Sequence, residues 1–138
     1  MSDTKTGQCL CGSIKITATA DMEHFGACHC AMCRKWSGGP FMEVQCADGI
    51  EIVGEENVTI YNSSEWAERG FCKNCGTHLF YRVKGNPKHY VSIGLFADSI
   101  DPVLTEQVFI DRKPSGYSFE QKTKNYTEQE IFDMFAGD

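Results

Sequence analysis

GFCKNCG, residues 70–76, spaces two cysteines so that a tight turn can aim both sulfurs at one ion. The glycine after Cys75 permits the positive φ that such a turn needs. GQCLCG, residues 7–12, pairs Cys9 with Cys11 and also closes on glycine. A third group, CHCAMC at 28–33, holds Cys28, Cys30 and Cys33, and only Cys46 stands apart. Zinc takes four ligands in a tetrahedron, with sulfur at about 2.3 Å. Two similar pairs therefore suggest one closed site, Cys9, Cys11, Cys72 and Cys75. The trio suggests a second site of three thiolates with a fourth position to fill.

Spacing leaves other readings open. The cysteines could be a disulfide scaffold whose leader was removed, although Cys-x-Cys pairs are awkward to bridge. Cys72 and Cys75 could be a redox pair, although the expected βαβ context is missing. Both sites could be structural, with Cys46, His24, His29, His78 or His89 completing the second.

The 138 residues fit one domain, 1–138. Apolar residues at 41% and charged residues at 23% describe a globular chain rather than a disordered one. No apolar run approaches the length of a membrane span. The first residues, MSDTKTGQ, lack an apolar signal core, so a cytoplasmic protein with reduced thiols is expected. Thirteen Lys and Arg against nineteen Asp and Glu give a net charge of −6, which argues against a nucleic-acid partner. Homo-oligomerisation stays open.

Short alternating runs separated by glycine and proline turns predict a mainly antiparallel β fold. The expected strands are 13–20, 25–28, 41–46, 51–53, 58–61, 66–71, 77–83, 90–96 and 108–110. Residues 31–36 suit one helical turn before Gly38-Gly39-Pro40 breaks the chain. Thr127 with Glu130 forms a capping box for a last helix, with Ile131, Phe132 and Phe135 on one face and Gly137 ending it.

GQCLCGSIKI (7–16), CHCAMCRKWSGG (28–39), GFCKNCGTHLF (70–80) and VFIDRKPS (108–115) resemble the glutathione-dependent formaldehyde-activating enzyme family. The resemblance runs from about residue 7 to residue 115. It implies an antiparallel β-tent-like fold, a structural zinc on Cys9, Cys11, Cys72 and Cys75, and a second, labile zinc on Cys28, Cys30 and Cys33. It also implies condensation of glutathione with formaldehyde, recorded as a carbon–sulfur lyase activity. Where members often carry a Trp after the Asp-Arg-Lys-Pro stretch, this chain has Gly116-Tyr117.

Three thiolates leave a zinc ion with net charge −1, a weak Lewis acid better suited to a fourth thiolate than to activating water. A free thiol of pKa about 8.5 is only a few per cent ionised at neutral pH. Full ionisation gains at most about 30-fold, near 2 kcal/mol, and a metal-bound thiolate is a softened nucleophile. Any larger acceleration must come from placing the aldehyde beside the sulfur. The expectation is that glutathione's thiolate takes the fourth position at Cys28, Cys30 and Cys33 and attacks an aldehyde. Arg34 and Lys35 are the nearest cations for its carboxylates, with Arg69, Arg112 and Lys113 as further candidates, and Trp36 could line the pocket. Three classes of function follow: a thiol–aldehyde lyase, a zinc enzyme using another thiol or electrophile, and a non-enzymatic zinc-binding module or thiol carrier.

Overall fold

The computed structural model describes residues 2–136. Its strands are β1 (Ser2–Gln8), β2 (Lys15–Asp21), β3 (His24–Cys28), β4 (Phe41–Cys46), β5 (Glu51–Val53), β6 (Val58–Asn62), β7 (Ala67–Cys72), β8 (His78–Val83), β9 (His89–Ser92), β10 (Val103–Val108) and β11 (Lys124–Tyr126). The helices are α1 (Ala31–Ser37) and α2 (Glu128–Ala136). The fold is mainly β with a C-terminal helix. Three strands form one sheet, in the order β1-β2-β5; eight form the other, β11-β10-β3-β4-β9-β8-β7-β6. Pairing is antiparallel except along β10, which runs parallel to both β3 and β11.

The core lies between the two sheets. Alternation in β2 puts Ile16, Ala18 and Ala20 inward, with Ile14 and Met22 at its ends. They meet Val44, Cys46, Phe80, Val91 and Phe96. Cys46 is fully buried in this cluster and is simply a small apolar side chain there.

The polar stretch at 2–8 is a full strand that composition does not advertise. Facing threonines tie it to β2, Thr4 to Thr19 at 2.7 Å and Thr6 to Thr17 at 2.8 Å. Two expected strands are corrected. Residues 90–96 are strand only to Ser92, after which Ile93–Phe96 forms a 3₁₀ turn that buries Phe96 and backs onto Gly7. A Cβ on Gly7 would stand 2.4 Å from the Leu95 carbonyl oxygen, so glycine is required there. The expected strand at 108–110 instead ends at Val108, because Phe109 takes a left-handed conformation (φ 56°) and a 3₁₀ turn follows.

The turn expected at 31–36 is longer, a seven-residue helix ended by left-handed Gly38. The capping box of α2 forms as read: the Glu130 amide donates to the Thr127 hydroxyl, and the Thr127 amide donates to the Glu130 carboxylate. Gly137 lies outside the described residues.

Candidate metal centres

The Cys9, Cys11, Cys72 and Cys75 sulfurs all lie within 4.8 Å of one another. Cys9 and Cys11 are 3.6 Å apart, and Cys11 and Cys72 are 3.8 Å apart. A tetrahedral site with zinc–sulfur bonds of about 2.3 Å has sulfur–sulfur edges of about 3.8 Å, so the donor set fits that ion. Local backbone explains the convergence. Gly12 and Gly76 both take φ of 78°, and their amides close the two loops onto the Cys9 and Cys72 carbonyls. The Ser13 hydroxyl is 3.0 Å from Cys11 and the Thr77 hydroxyl is 3.1 Å from Cys75. Thr77 also accepts the Leu10 amide, joining the two loops directly. Its hydroxyl is the first cause holding the Cys75 thiol down at about 5.

Cys28, Cys30 and Cys33 form the second group, again within 4.8 Å of one another. Cys28 ends β3, Cys30 caps α1, and Cys33 sits buried in the first turn of that helix. The Cys33 amide donates to the Cys30 sulfur at 3.3 Å. Contacts with Cys28 and then Cys33 hold the Cys30 thiol at about 2, while contact with Cys30 pushes Cys28 far up. The trio shares its charge: the first thiolate makes the second costly.

No fourth His, Cys, Asp or Glu joins this group among the described residues. Each histidine is otherwise engaged. His29, fully buried between Cys28 and Cys30 in sequence, turns away: its Nε2 meets the Gln107 carbonyl at 2.8 Å, and the Tyr117 hydroxyl lies 3.4 Å from its Nδ1. His24 pairs with Asp21, and His89 with the Pro87 carbonyl and Arg82. His78 stacks on Trp36, with centroids 4.2 Å apart and planes at 13°.

Arg69 is the site residue whose place the sequence did not disclose. It is 4% exposed, and both terminal nitrogens donate to the Cys33 sulfur, at 3.5 and 3.6 Å. Its guanidinium is sandwiched between the rings of Trp36 (5.0 Å) and Tyr81 (4.9 Å). It therefore faces the thiolates rather than a substrate carboxylate. Its position in β7, opposite Tyr81 in β8, puts it on the same face of the large sheet as Cys28.

Arg34 and Lys35 line a cavity of about 430 Å³ between α1 and the segment carrying Pro114 and Tyr117. The Arg34 Nε also donates to the His29 carbonyl at 3.0 Å. Trp36 does not share that wall; it turns to the other side, against His78, Phe41 and Arg69. Arg112 is taken up by Glu128 at 2.7 Å, and Lys113 by the Pro114 and Tyr117 carbonyls.

The mainly β fold carries two cysteine groups, each gathered closely enough that it could hold a metal ion. The sequence pattern of the family described as glutathione-dependent formaldehyde-activating enzyme matches residues 4–112, and the chain belongs to that family. An uncharacterised lyase of Schizosaccharomyces pombe is 38% identical over 126 residues, covering 91% of this chain and 92% of that one. A Podospora anserina protein named as a candidate glutathione-dependent formaldehyde-activating enzyme is 33% identical over 90 residues; the match covers 62% of this chain and 42% of that one. A crystal structure of a Rhodobacter sphaeroides protein shares the fold, with a TM-score of 0.59 and 24% identity over 71% of this chain and 92% of that one. The family and the lyase-named relative support a lyase. Among the described residues no helix is long and apolar enough to cross a membrane.

Proposed function

We propose that the protein is a carbon–sulfur lyase that joins a glutathione-like thiol to formaldehyde, giving the S-hydroxymethyl adduct. The observation that carries this reading is the Cys28–Cys30–Cys33 trio with a buried arginine on Cys33 and no fourth His, Cys, Asp or Glu beside it among the described residues. Zinc held by these three sulfurs would supply a coordination position that ionises an incoming thiol. Cys9, Cys11, Cys72 and Cys75 would hold a second zinc with a structural role.

The chain's own residues then do electrostatic and positioning work. Three thiolates and a divalent cation sum to −1, and the Arg69 guanidinium brings the centre near neutrality. An anionic sulfur can then approach without net repulsion. Tyr81 and Trp36 hold that guanidinium in place and exclude water from it. Arg34 and Lys35 offer positive charge to glutathione's carboxylates at the neighbouring cavity. In the reaction the sulfur lone pair forms the carbon–sulfur bond, the carbonyl π pair becomes an alkoxide, and that oxygen takes up a proton.

NMR of formaldehyde and glutathione, with and without zinc-loaded protein, tests the reading. Adduct exchange should accelerate with the wild type and return to the background rate in Cys30→Ser. Unchanged exchange with wild-type protein would leave a thiol-binding module as the better description.

A further inference from the structure

Gly26 in β3 stands between two carboxylates. Glu106 in β10 pairs with it on one side, and Glu43 in β4 pairs with it on the other. Having no side chain, Gly26 leaves a notch that the Glu43 carboxyl enters: a Cβ there would stand 2.7 Å from Oε1. The notch opens onto a cavity of about 240 Å³, walled also by Asp21, His24, Gln45 and Thr105. Glu43 is 4% exposed, and its Oε2 has no hydrogen-bond partner. A buried carboxyl without a donor is stable only while it keeps its proton or when a cation meets it.

No side chain of this protein supplies that cation. No Lys or Arg lines the cavity. The Lys88 ammonium rests 5.0 Å over the Tyr90 ring, and Lys124, opposite Glu106 in β11, rests 5.4 Å over the Tyr126 ring. Burial first, and then the Glu106 charge, push Glu43 up to about 8, with Lys88 acting the other way. The wall offers carboxylate, amide and hydroxyl oxygens and no sulfur, a donor set for a hard divalent cation. Among the described residues no group of three His, Cys, Asp or Glu donors includes Glu43 or Glu106, so an ion there would keep several waters. The cavity has room for them, since one water takes up about 30 Å³. An organic ammonium fits less well, because Phe25 is the only apolar side chain on the wall to receive its carbon atoms.

We infer that the notch over Gly26 is a binding site for a hydrated hard divalent cation, Mg²⁺ or Ca²⁺, held by Glu43 and Glu106 with further oxygens from Gln45 and Thr105. The ion bridges β4 and β10 across β3, the strand that ends in Cys28. The site is distinct from both cysteine groups and does not depend on the reaction proposed for them.

Calorimetric titration of zinc-loaded protein with magnesium chloride, and separately with calcium chloride, tests this near pH 7. Two buffers of different ionisation enthalpy reveal any proton released. One ion should bind per chain, with a dissociation constant of roughly 10⁻⁴–10⁻³ M, as at weak oxygen sites. Binding should release close to one proton, the one Glu43 gives up. The groups facing that proton are Glu106 from β10, His24 from β3, Asp21 from β2, Tyr90 from β9 and Lys88. Glu43→Gln removes only the share of Glu43 and so separates it from theirs. Glu43→Gln and Glu106→Gln should each weaken binding about tenfold or more, and Glu43→Gln should abolish most of the proton release. Circular dichroism confirms the fold of each. No binding of either ion up to roughly 10 mM overturns the site. Binding to wild type without proton release also overturns it, because the buried carboxyl is then no ligand. Affinity unchanged in either variant overturns it as well; an ion indifferent to Glu43→Gln sits at the exposed group of Asp21, Glu23 and His24 instead.

Discussion

The Arg69 guanidinium reaches the Cys33 sulfur with two nitrogens, at 3.5 and 3.6 Å, across 36 residues of sequence. At about 6 Å from a ligand on the trio, in surroundings of effective dielectric near 20, its charge contributes roughly 2–3 kcal/mol of attraction for an anion. Arg69→Met keeps bulk and removes charge. It should weaken glutathione binding to zinc-loaded protein by roughly 30- to 100-fold. Arg69→Lys should recover only part, because a lysine lacks the planar fork and stacks poorly between Trp36 and Tyr81. Calorimetric titration reads both; an affinity unchanged in Arg69→Met would remove Arg69 from its assigned role.

Loss of one sulfur from the closed cluster should act on stability. Structural zinc contributes roughly 10–16 kcal/mol of apparent folding free energy, about as much as a whole domain has. Cys72→Ser should therefore fail to fold cooperatively, or melt far below the wild type. Metal content and thermal melting decide it together. A variant with full zinc and the native melting temperature would take Cys72 out of the ligand set.

Gly54 reaches the same cluster through the backbone. It takes φ of 87°, and a Cβ there would fall 2.0 Å from the Ser13 carbonyl oxygen. Ser13 in turn touches Cys11 and Cys72 through its hydroxyl. Gly54→Ala must push the 13–14 segment aside, at a cost of about 1–3 kcal/mol from overpacking and backbone strain. The expected signature is a lower melting temperature together with faster loss of zinc to a chelator. A normal melt with normal zinc retention would show that the segment yields freely.

The sulfur groups were legible in the sequence because spacing and a following glycine are local signals. So were most strands and the α2 capping box, which depend on alternation and on residues three apart. β1 was not legible: its Thr–Thr pairs lie across a sheet edge, and composition there is polar. The parallel placement of β10 was also hidden, since strand order is a long-range property. Arg69 was legible only as a further cation for a substrate carboxylate; that it meets the Cys33 sulfur instead depends on a contact between β7 and α1 across 36 residues, which no local signal carries. Glu43 sits in an alternating strand with apolar neighbours, where its burial on the second face gives no sequence signal at all. Both are charged groups made significant by a partner, or by the lack of one, far away in sequence.

That buried carboxyl makes a pH-dependent prediction. Glu43 titrates near 4.5 in an unfolded chain and at about 8 here, with burial as the first cause. Between those values the folded protein holds a proton that the unfolded chain has released. Stability therefore falls as pH rises through that window, by up to about 1.4 kcal/mol per pH unit, and levels off above it. Glu106 steepens the loss and Lys88 moderates it; His24 lines the cavity beside Glu43 from β3, and Tyr90 in β9 stands opposite Gln45 on the same sheet face. Glu43→Gln keeps the shape without the titration, so it should match wild type near pH 4 and exceed it by a few kcal/mol at pH 8. Urea unfolding at a series of pH values measures the gap; a constant gap would mean that Glu43 has a normal carboxyl pKa.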